Sequence, residues 1–140
     1  LPREARLLLA RLKLQQVGLG QFADYLPSET SGGMVKRAAV ARAMALDPGI
    51  LFLDEPSAGL DPITSAELDE LIRALSRDYG ITFVIASHEL ASVYAIGDRA
   101  ILLEGGGIAA EGKPVQLRDD PPNDYVRAFF RREPERARAA

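Results

Sequence analysis

The chain has 140 residues, of which 47% are hydrophobic and 26% charged, and its formal net charge is −3. This composition is typical of a globular protein of about one domain, so intrinsic disorder is not the default expectation. The chain contains no cysteine, which excludes a disulfide framework and a cysteine metal site. No apolar run approaches the roughly 20 residues of a membrane helix, and the acidic balance argues against general nucleic-acid binding.

The first part of the chain predicts two helices followed by a strand. Apolar spacing predicts a helix over 3–16 and, after a loop, a second over 34–46. The second helix is expected to end at Asp47-Pro48, because the residue before a proline is disfavoured in helical geometry. Residues 50–53 are continuously apolar, as is typical of a strand buried on both faces of a parallel sheet.

The middle of the chain predicts a strand–helix–strand unit. Asp61-Pro62 has the form of a helix start, with a cap and a proline in the first turn, and Gly80 is expected to end that helix. Residues 81–86 are again apolar and predict a second buried strand. Two strands joined through a helix should be parallel, so residues 50–86 predict an α/β protein. The apolar face of the helix is formed by Leu68, Leu71, Ile72, Leu75 and Tyr79.

A glycine turn marks the third part of the chain. After a short predicted helix at 89–96, strands at 99–103 and 108–111 flank Gly105-Gly106-Gly107 and predict a β-hairpin. The stretch from Gly107 to Pro114 also matches the phosphate-loop pattern G-x-x-x-x-G-K-[ST] up to its last position. Proline there offers neither a hydroxyl group for Mg²⁺ nor an N–H group for phosphate. We therefore interpret this stretch as the end of the hairpin.

The last predicted helix carries an aromatic face. It spans about 123–131, after Pro121-Pro122, and precedes a charged tail at 132–140. Two interpretations stay open: the face packs onto its own domain, or it docks on a partner subunit. The residues of this face are Tyr125, Val126, Phe129 and Phe130.

Polar residues follow both strands of the predicted parallel pair. Asp54-Glu55 come directly after the first strand, and Ser87-His88-Glu89 after the second. Ligands of open parallel sheets bind at the carboxyl ends of the strands. Each group alone also fits a strand end that reaches water. Together they suit nucleotide hydrolysis, in which one carboxylate holds Mg²⁺, another orients the attacking water, and an imidazole can hydrogen-bond the phosphate.

A glycine pair stands where a helix begins, in the stretch Thr30-Ser31-Gly32-Gly33-Met34. A Ser/Gly sequence before a helix is a common cap. It is equally the composition of an anion site, because exposed N–H groups and the helix dipole attract phosphate and glycines let it approach the backbone. The acidic pair and the histidine later in the chain favour the phosphate interpretation.

With these motifs in this order, the chain resembles the C-terminal half of the nucleotide-binding domain of ATP-binding cassette (ABC) ATPases. Residues 30–34 stand where the family has its signature L-S-G-G-Q, with Thr30 and Met34 as departures. Residues 50–55 are similar to the Walker B strand with its catalytic glutamate. Residues 57–61 are similar to the D-loop, and His88 stands at the switch histidine.

The resemblance implies a P-loop NTPase-like α/β fold, a mostly parallel sheet with flanking helices, and an enzyme that hydrolyses ATP. It implies a catalytic role for Glu55 and His88 and a Mg²⁺-binding role for Asp54. It further implies a second copy of the domain as a head-to-tail partner, an integral membrane permease, and a location on the cytoplasmic face of the inner membrane. The residues expected to contact nucleotide are Ser31, Gly32, Gly33, Met34 and Asp61.

The resemblance also implies a domain organisation. We expect a helical subdomain and signature helix in 1–46, a core with hairpin in 47–112, and C-terminal helices in 113–131. The family's phosphate loop, adenine contact and Q-loop are expected upstream, so the chain should be a partial domain that alone neither hydrolyses ATP nor binds it tightly. The apolar faces of 50–53 and 81–86 should then be uncovered.

Within the family, the chain is similar to the Mla/Mkl branch, which moves lipids between membranes with MCE-domain proteins and small accessory subunits. The features shared with that branch are the signature followed by a basic pair and the stretch "EPSAGLDP" at 55–62. An importer of small polar solutes remains the alternative, followed by a DNA-repair or chromosome-organising ATPase. A non-catalytic binding subunit disagrees with the intact Asp54, Glu55 and His88.

Overall fold

A computed structural model describes residues 1–131, which fall into two compact units, Leu1–Ser87 and the described part of His88–Ala140. The predicted charged tail at 132–140 lies outside the described residues. Within the described part, no helix combines the length and the apolar character needed to cross a bilayer.

The first unit contains three helices, two strands and three short 3-10 turns. The helices are α1 (Arg3–Gln16), α2 (Gly32–Ala43) and α3 (Pro62–Tyr79), and the strands are β1 (Ile50–Asp54) and β2 (Thr82–Ala86). The 3-10 turns are Gly20–Phe22, Pro27–Glu29 and Met44–Leu46.

Helix positions agree with the sequence except at α2. This helix begins two residues earlier than predicted, because Ser31 caps it: the Ser31 hydroxyl oxygen accepts the Met34 N–H at 3.3 Å. The last predicted turn, 44–46, is a 3-10 turn. It ends at Asp47, whose left-handed backbone (φ 49°) stops the helix before Pro48. The end of α3 at Gly80 (φ 66°) is as predicted.

The ammonium group of Lys13 joins α1 to the turn after α2. Lys13 is buried, with 7% of its surface exposed, and its Nζ donates to the carboxylate of Asp47. A buried lysine is rare unless it is paired. This ion pair therefore accounts for a cation inside the helical part of the unit.

β1 and β2 form the predicted parallel pair, with Phe52 opposite Val84. Their apolar pattern is typical of strands covered on both faces, but within the described residues only one face is covered. Leu51 is buried, but Ile50, Phe52 and Val84 are 56%, 76% and 45% exposed. Alternate side chains point to opposite faces of a strand, and the core of the unit covers only one face. The expectation of uncovered apolar surface is confirmed for these three side chains.

One hydrophobic core lies beneath the covered face of β1 and β2. It draws on the end of α1, on α2, on α3 and on the first turn after α3. The buried members are Val17, Leu19, Val40, Ala41, Met44, Leu51, Leu75 and Ile81.

The described part of the second unit contains the predicted hairpin and three short helices. These are α4 (Leu90–Ile96), β3 (Ala100–Glu104), β4 (Gly107–Gly112), α5 (Pro114–Asp119) and α6 (Asp124–Phe130). The strands are antiparallel, and Gly105 and Gly106 both have positive φ (56° and 81°). A two-residue hairpin turn of that kind requires such angles, which glycine adopts without strain.

The phosphate-loop-like stretch is part of this hairpin. All of Gly107–Gly112 is β4, and Pro114 is the first residue of α5. A phosphate loop is an irregular segment between a strand and a helix. The interpretation of this stretch as the end of a hairpin is confirmed.

α6 packs onto its own unit. Val126 and Phe130 are 0% and 5% exposed and belong to a second core with Ala110 and Leu117. Phe129 packs against that core, whereas Tyr125 is 37% exposed. Two interpretations of the aromatic face were open, packing onto its own domain or docking on a partner subunit. Val126 and Phe130 pack onto their own domain.

Candidate active site

The signature segment forms the capped start of α2. The first N–H groups of a helix have no intrahelical acceptor, so Gly32 and Gly33 present donors at this end. The Ser31 hydroxyl accepts from Met34 N–H, and a hydroxyl that accepts one hydrogen bond can still donate another. Ser31 and Gly32 are exposed. The turn therefore offers a cluster of donors that an anion can reach.

Thr30 stands before the signature serine, where the family has leucine, and its side chain makes a local hydrogen bond. Its hydroxyl donates to the Pro27 carbonyl oxygen at 2.7 Å, which closes the 3-10 turn that leads into Ser31. A local hydrogen bond thus occupies this position instead of apolar packing.

Gly33 allows α2 to begin in close contact with α3. It is buried, and a Cβ atom at this position would lie 2.6 Å from Thr64 Cγ2. At Gly32 the same construction gives an ordinary contact of 3.6 Å with Leu60 Cδ2. The absence of a side chain at Gly33 is therefore a packing requirement as well as a feature of an anion site.

The acidic pair lies at the end of β1. Asp54 is its last residue and is exposed, while Glu55 follows in a left-handed conformation with φ 44°. Left-handed backbone is uncommon outside glycine and is found at functional sites. The Glu55 N–H donates to the Ala86 carbonyl oxygen at 2.9 Å. Its own carbonyl oxygen accepts the Ala58 N–H at 3.1 Å, so both backbone groups are held.

Asp61, predicted to contact nucleotide, caps α3. Its Oδ1 accepts the N–H groups of Ile63 and Thr64 at 3.0 and 3.1 Å, and its Oδ2 accepts the Thr64 hydroxyl. The side-chain hydrogen bond from Thr64, followed by the backbone hydrogen bonds, lowers the pKa of Asp61 below 3.8. The carboxylate is exposed and stays charged at neutral pH.

Sequence reasoning missed two residues of this site, Thr64 and Lys36. Lys36 lies on α2, and its Nζ donates to the Glu55 carbonyl oxygen at 3.4 Å. A basic pair after the signature was visible in the sequence, but its contact was not. Thr64 gave no signal, because its methyl and hydroxyl groups acquire their roles only through packing with Gly33 and Asp61.

The structure brings most of the predicted residues together in the first unit. The start of α2 contacts Leu60 and Thr64, and α2 reaches Glu55 through Lys36. The side chain of Met34 packs against the core of the unit, and its N–H serves the helix cap. His88 is exposed and is the first residue of the second unit. The catalytic, metal-binding and nucleotide-contacting roles of all the predicted site residues stay predictions.

The residues present fit a weakly ligated Mg²⁺ better than a closed metal cage. Among residues 1–131, no three histidine or acidic side chains are grouped so that they could hold a metal ion. Magnesium in nucleotide sites usually takes one or two carboxylates together with water and phosphate oxygens. The exposed carboxylate of Asp54 meets that requirement as one ligand.

Comparison with known proteins finds ABC transporter ATP-binding domains. The model of the ABC transporter family matches residues 3–58. The crystal structure of the ADP conformation of MJ1267, an ATP-binding cassette of an ABC transporter, superposes with a TM-score of 0.81 at 28% identity over 95% of this chain and 52% of that one. These matches identify the chain as a portion of an ABC transporter ATP-binding domain. Its α/β architecture is that of the ABC ATPase fold.

Two relatives from Escherichia coli K12 show how far this similarity extends. The chain is 44% identical to the intermembrane phospholipid transport system ATP-binding protein MlaF, over 85% of the chain and 44% of MlaF. It is 41% identical to the glycine betaine/proline betaine transport system ATP-binding protein ProV, over 84% of the chain and 30% of ProV. The chain thus spans less than half of either relative, and the Mla branch is not singled out.

The contact at Gly33 predicts that Gly33→Ala destabilises the complete protein by about 1–3 kcal/mol, the usual effect of overpacking. Thr64→Ser removes the Cγ2 methyl group and keeps the hydroxyl bond to Asp61, so adding it to Gly33→Ala should restore most of the loss. Gly32→Ala, with room for a Cβ atom, is the matched control. Urea unfolding of the four proteins measures this, and equal effects of the two glycine substitutions would contradict it.

The cap at Asp61 predicts a pH-dependent stability. Because the pKa of Asp61 is lower in the folded state than its ordinary 3.8, the charged carboxylate stabilises the fold above pH 3.8, and this stabilisation is lost as the pH falls through the folded pKa. Carboxyl NMR titration should give a pKa below 3.8, and the stability difference from Asp61→Asn should shrink in acid. A pKa at or above 3.8 would disprove the cap's effect on titration.

Proposed function

We propose that the chain is part of an ATP-binding and ATP-hydrolysing subunit that powers an ABC transporter. The observation that carries the proposal is that one unit holds both a glycine-fronted helix start and an acidic strand end, so that two copies paired head to tail would bring one of each to the same nucleotide. Phosphate donors and a general-base carboxylate are the two kinds of group that nucleotide hydrolysis requires. The similarity to ABC transporter ATP-binding proteins supports the same reaction.

Glu55 is the proposed general base. Its carboxylate orients a water molecule whose oxygen attacks the γ-phosphorus of ATP; the bond to the β–γ bridging oxygen breaks, ADP leaves, and the water proton passes to Glu55. Mg²⁺, when bound, would neutralise phosphate charge, with Asp54 as its protein ligand. The His88 imidazole would hydrogen-bond the γ-phosphate, a role that rests on the resemblance of its position.

The signature residues are proposed to act on a nucleotide held by a second copy of the domain. The donors of Ser31 and Gly32 are exposed at the start of α2, and buried Gly33 follows them in the first turn, so that this helix start can meet a γ-phosphate presented by a partner. ATP then joins two subunits and hydrolysis separates them. An integral membrane permease completes the proposed complex, with the ATPase on the cytoplasmic face of the membrane.

The proposed cargo is lipid, moved between membranes with an MCE-domain protein and accessory subunits. The identity with MlaF supports this assignment, and the similar identity with ProV supports a small polar solute as the alternative. Affinity purification of the complete protein from its native membrane distinguishes them. Co-purification of an MCE-domain protein supports lipid transport, whereas a permease with betaine-stimulated ATPase activity supports the alternative.

The role of Glu55 predicts that Glu55→Gln in the complete protein keeps ATP binding and lowers hydrolysis about 10²–10⁴-fold, the usual contribution of a positioned base. The amide keeps the size of the side chain but cannot accept the proton. Glu70→Gln, on the exposed side of α3, is the control. Single-turnover phosphate release measures the effect, and near-normal turnover would remove Glu55 from this role.

The role of the signature turn predicts that Ser31→Arg prevents ATP-dependent dimerisation, because the larger side chain occupies the space of the γ-phosphate. Gln21→Arg, at an exposed position outside the turn, adds the same charge as a control. Light scattering with Mg-ATP, in the Glu55→Gln background that slows hydrolysis, measures the dimer. A Ser31→Arg variant that still dimerises would refute the assignment of the signature.

A further inference from the structure

Lys36 contacts the backbone of the residue proposed as the catalytic base. Its Nζ lies 3.4 Å from the Glu55 carbonyl oxygen, in a partly buried position. The same oxygen accepts the Ala58 N–H at 3.1 Å. A carbonyl oxygen has two lone pairs, so the two donors use its full capacity, and one of them is charged.

The Glu55 backbone needs such support. Its φ of 44° places a side chain with a Cβ atom in a sparsely populated region, which persists only where the surroundings enforce it. On one side, the N–H of Glu55 is held by the Ala86 carbonyl oxygen. On the other side, the carbonyl group is held by Ala58 and by Lys36. The Lys36 contact is long at 3.4 Å, but its donor is ionised, and a positive charge attracts the carbonyl oxygen over a longer distance than a neutral donor does.

Lys36 also belongs to the helix that begins at the signature. Ser31 caps α2, and the start of the helix is fixed against Thr64 by the close approach of Gly33. A shift of α2 would therefore move the ammonium group relative to Glu55. The helix connects the proposed phosphate donors of the signature with the backbone that carries the proposed base.

We infer that Lys36 is a positioning residue for Glu55: by holding the Glu55 carbonyl group it fixes the left-handed backbone from which the carboxylate projects. This inference rests on the proposed function. A displacement of about 1 Å at a catalytic group is enough to slow a reaction strongly. Lys36 therefore acts on the chemical step and leaves the affinity for ATP unchanged.

The test compares ATP hydrolysis by variants of the complete protein. Lys36→Met keeps the length of the side chain and removes the donor, and kcat should fall about ten- to a hundredfold with the KM for ATP nearly unchanged. Lys36→Arg keeps a cationic donor and should recover most of the activity. Lys113→Met, which removes an exposed lysine elsewhere, is the matched control. Melting temperatures identify misfolding, and Lys36→Gln is the second variant if Lys36→Met misfolds.

A double-mutant cycle separates positioning from a general structural effect. With Glu55→Gln already present, there is no base to position, so adding Lys36→Met should cause no further loss of activity. The same loss in both backgrounds, or a normal kcat for Lys36→Met while Glu55→Gln is impaired, would overturn the role of Lys36 and leave the proposed function intact. Normal hydrolysis by Glu55→Gln would overturn the proposed function itself.

Discussion

The candidate site depends on the close approach of two helices at Gly33. A Cβ atom there would lie 2.6 Å from Thr64 Cγ2, so α2 can begin against the first turn of α3 only where the side chain is absent. That first turn is itself shaped by Asp61, which accepts hydrogen bonds from Ile63 and Thr64. Because Gly33 has no Cβ atom, the start of α2 can lie close to the first turn of α3, and this contact sets the distance between the two helix starts.

The second constraint is the turn after β1. Parallel pairing of β1 with β2 places the Ala86 carbonyl oxygen where it accepts the Glu55 N–H. Glu55 then leaves the strand with positive φ, which redirects the chain away from the sheet toward α3. The sheet, the turn and α2 meet at this residue, since Lys36 contacts its carbonyl group. A strained backbone held from several elements is typical of a site that needs a fixed carboxylate.

The exposed face of β1 and β2 shows that the apolar pattern of a strand does not by itself predict the burial of both its faces. Continuous apolar residues in β1 and β2 are typical of strands covered on both sides. In the first unit α1, α2 and α3 supply one covering layer, and Phe52 and Val84 face away from it. Burial is a property of the neighbouring elements, so no strand sequence alone specifies which of its faces is covered.

The sequence by itself determined the features whose causes lie within a few residues. The cap at Asp61, the glycine end at Gly80 and the Gly105-Gly106 turn each act through local backbone geometry, and they gave α3 and the hairpin correctly. The order of the motifs also identified the ABC ATPase fold. Only the tertiary structure decided that Gly33 packs against Thr64 and that Lys36 holds Glu55. Those contacts join residues far apart in the chain, and their distances depend on the packing of whole helices against the sheet.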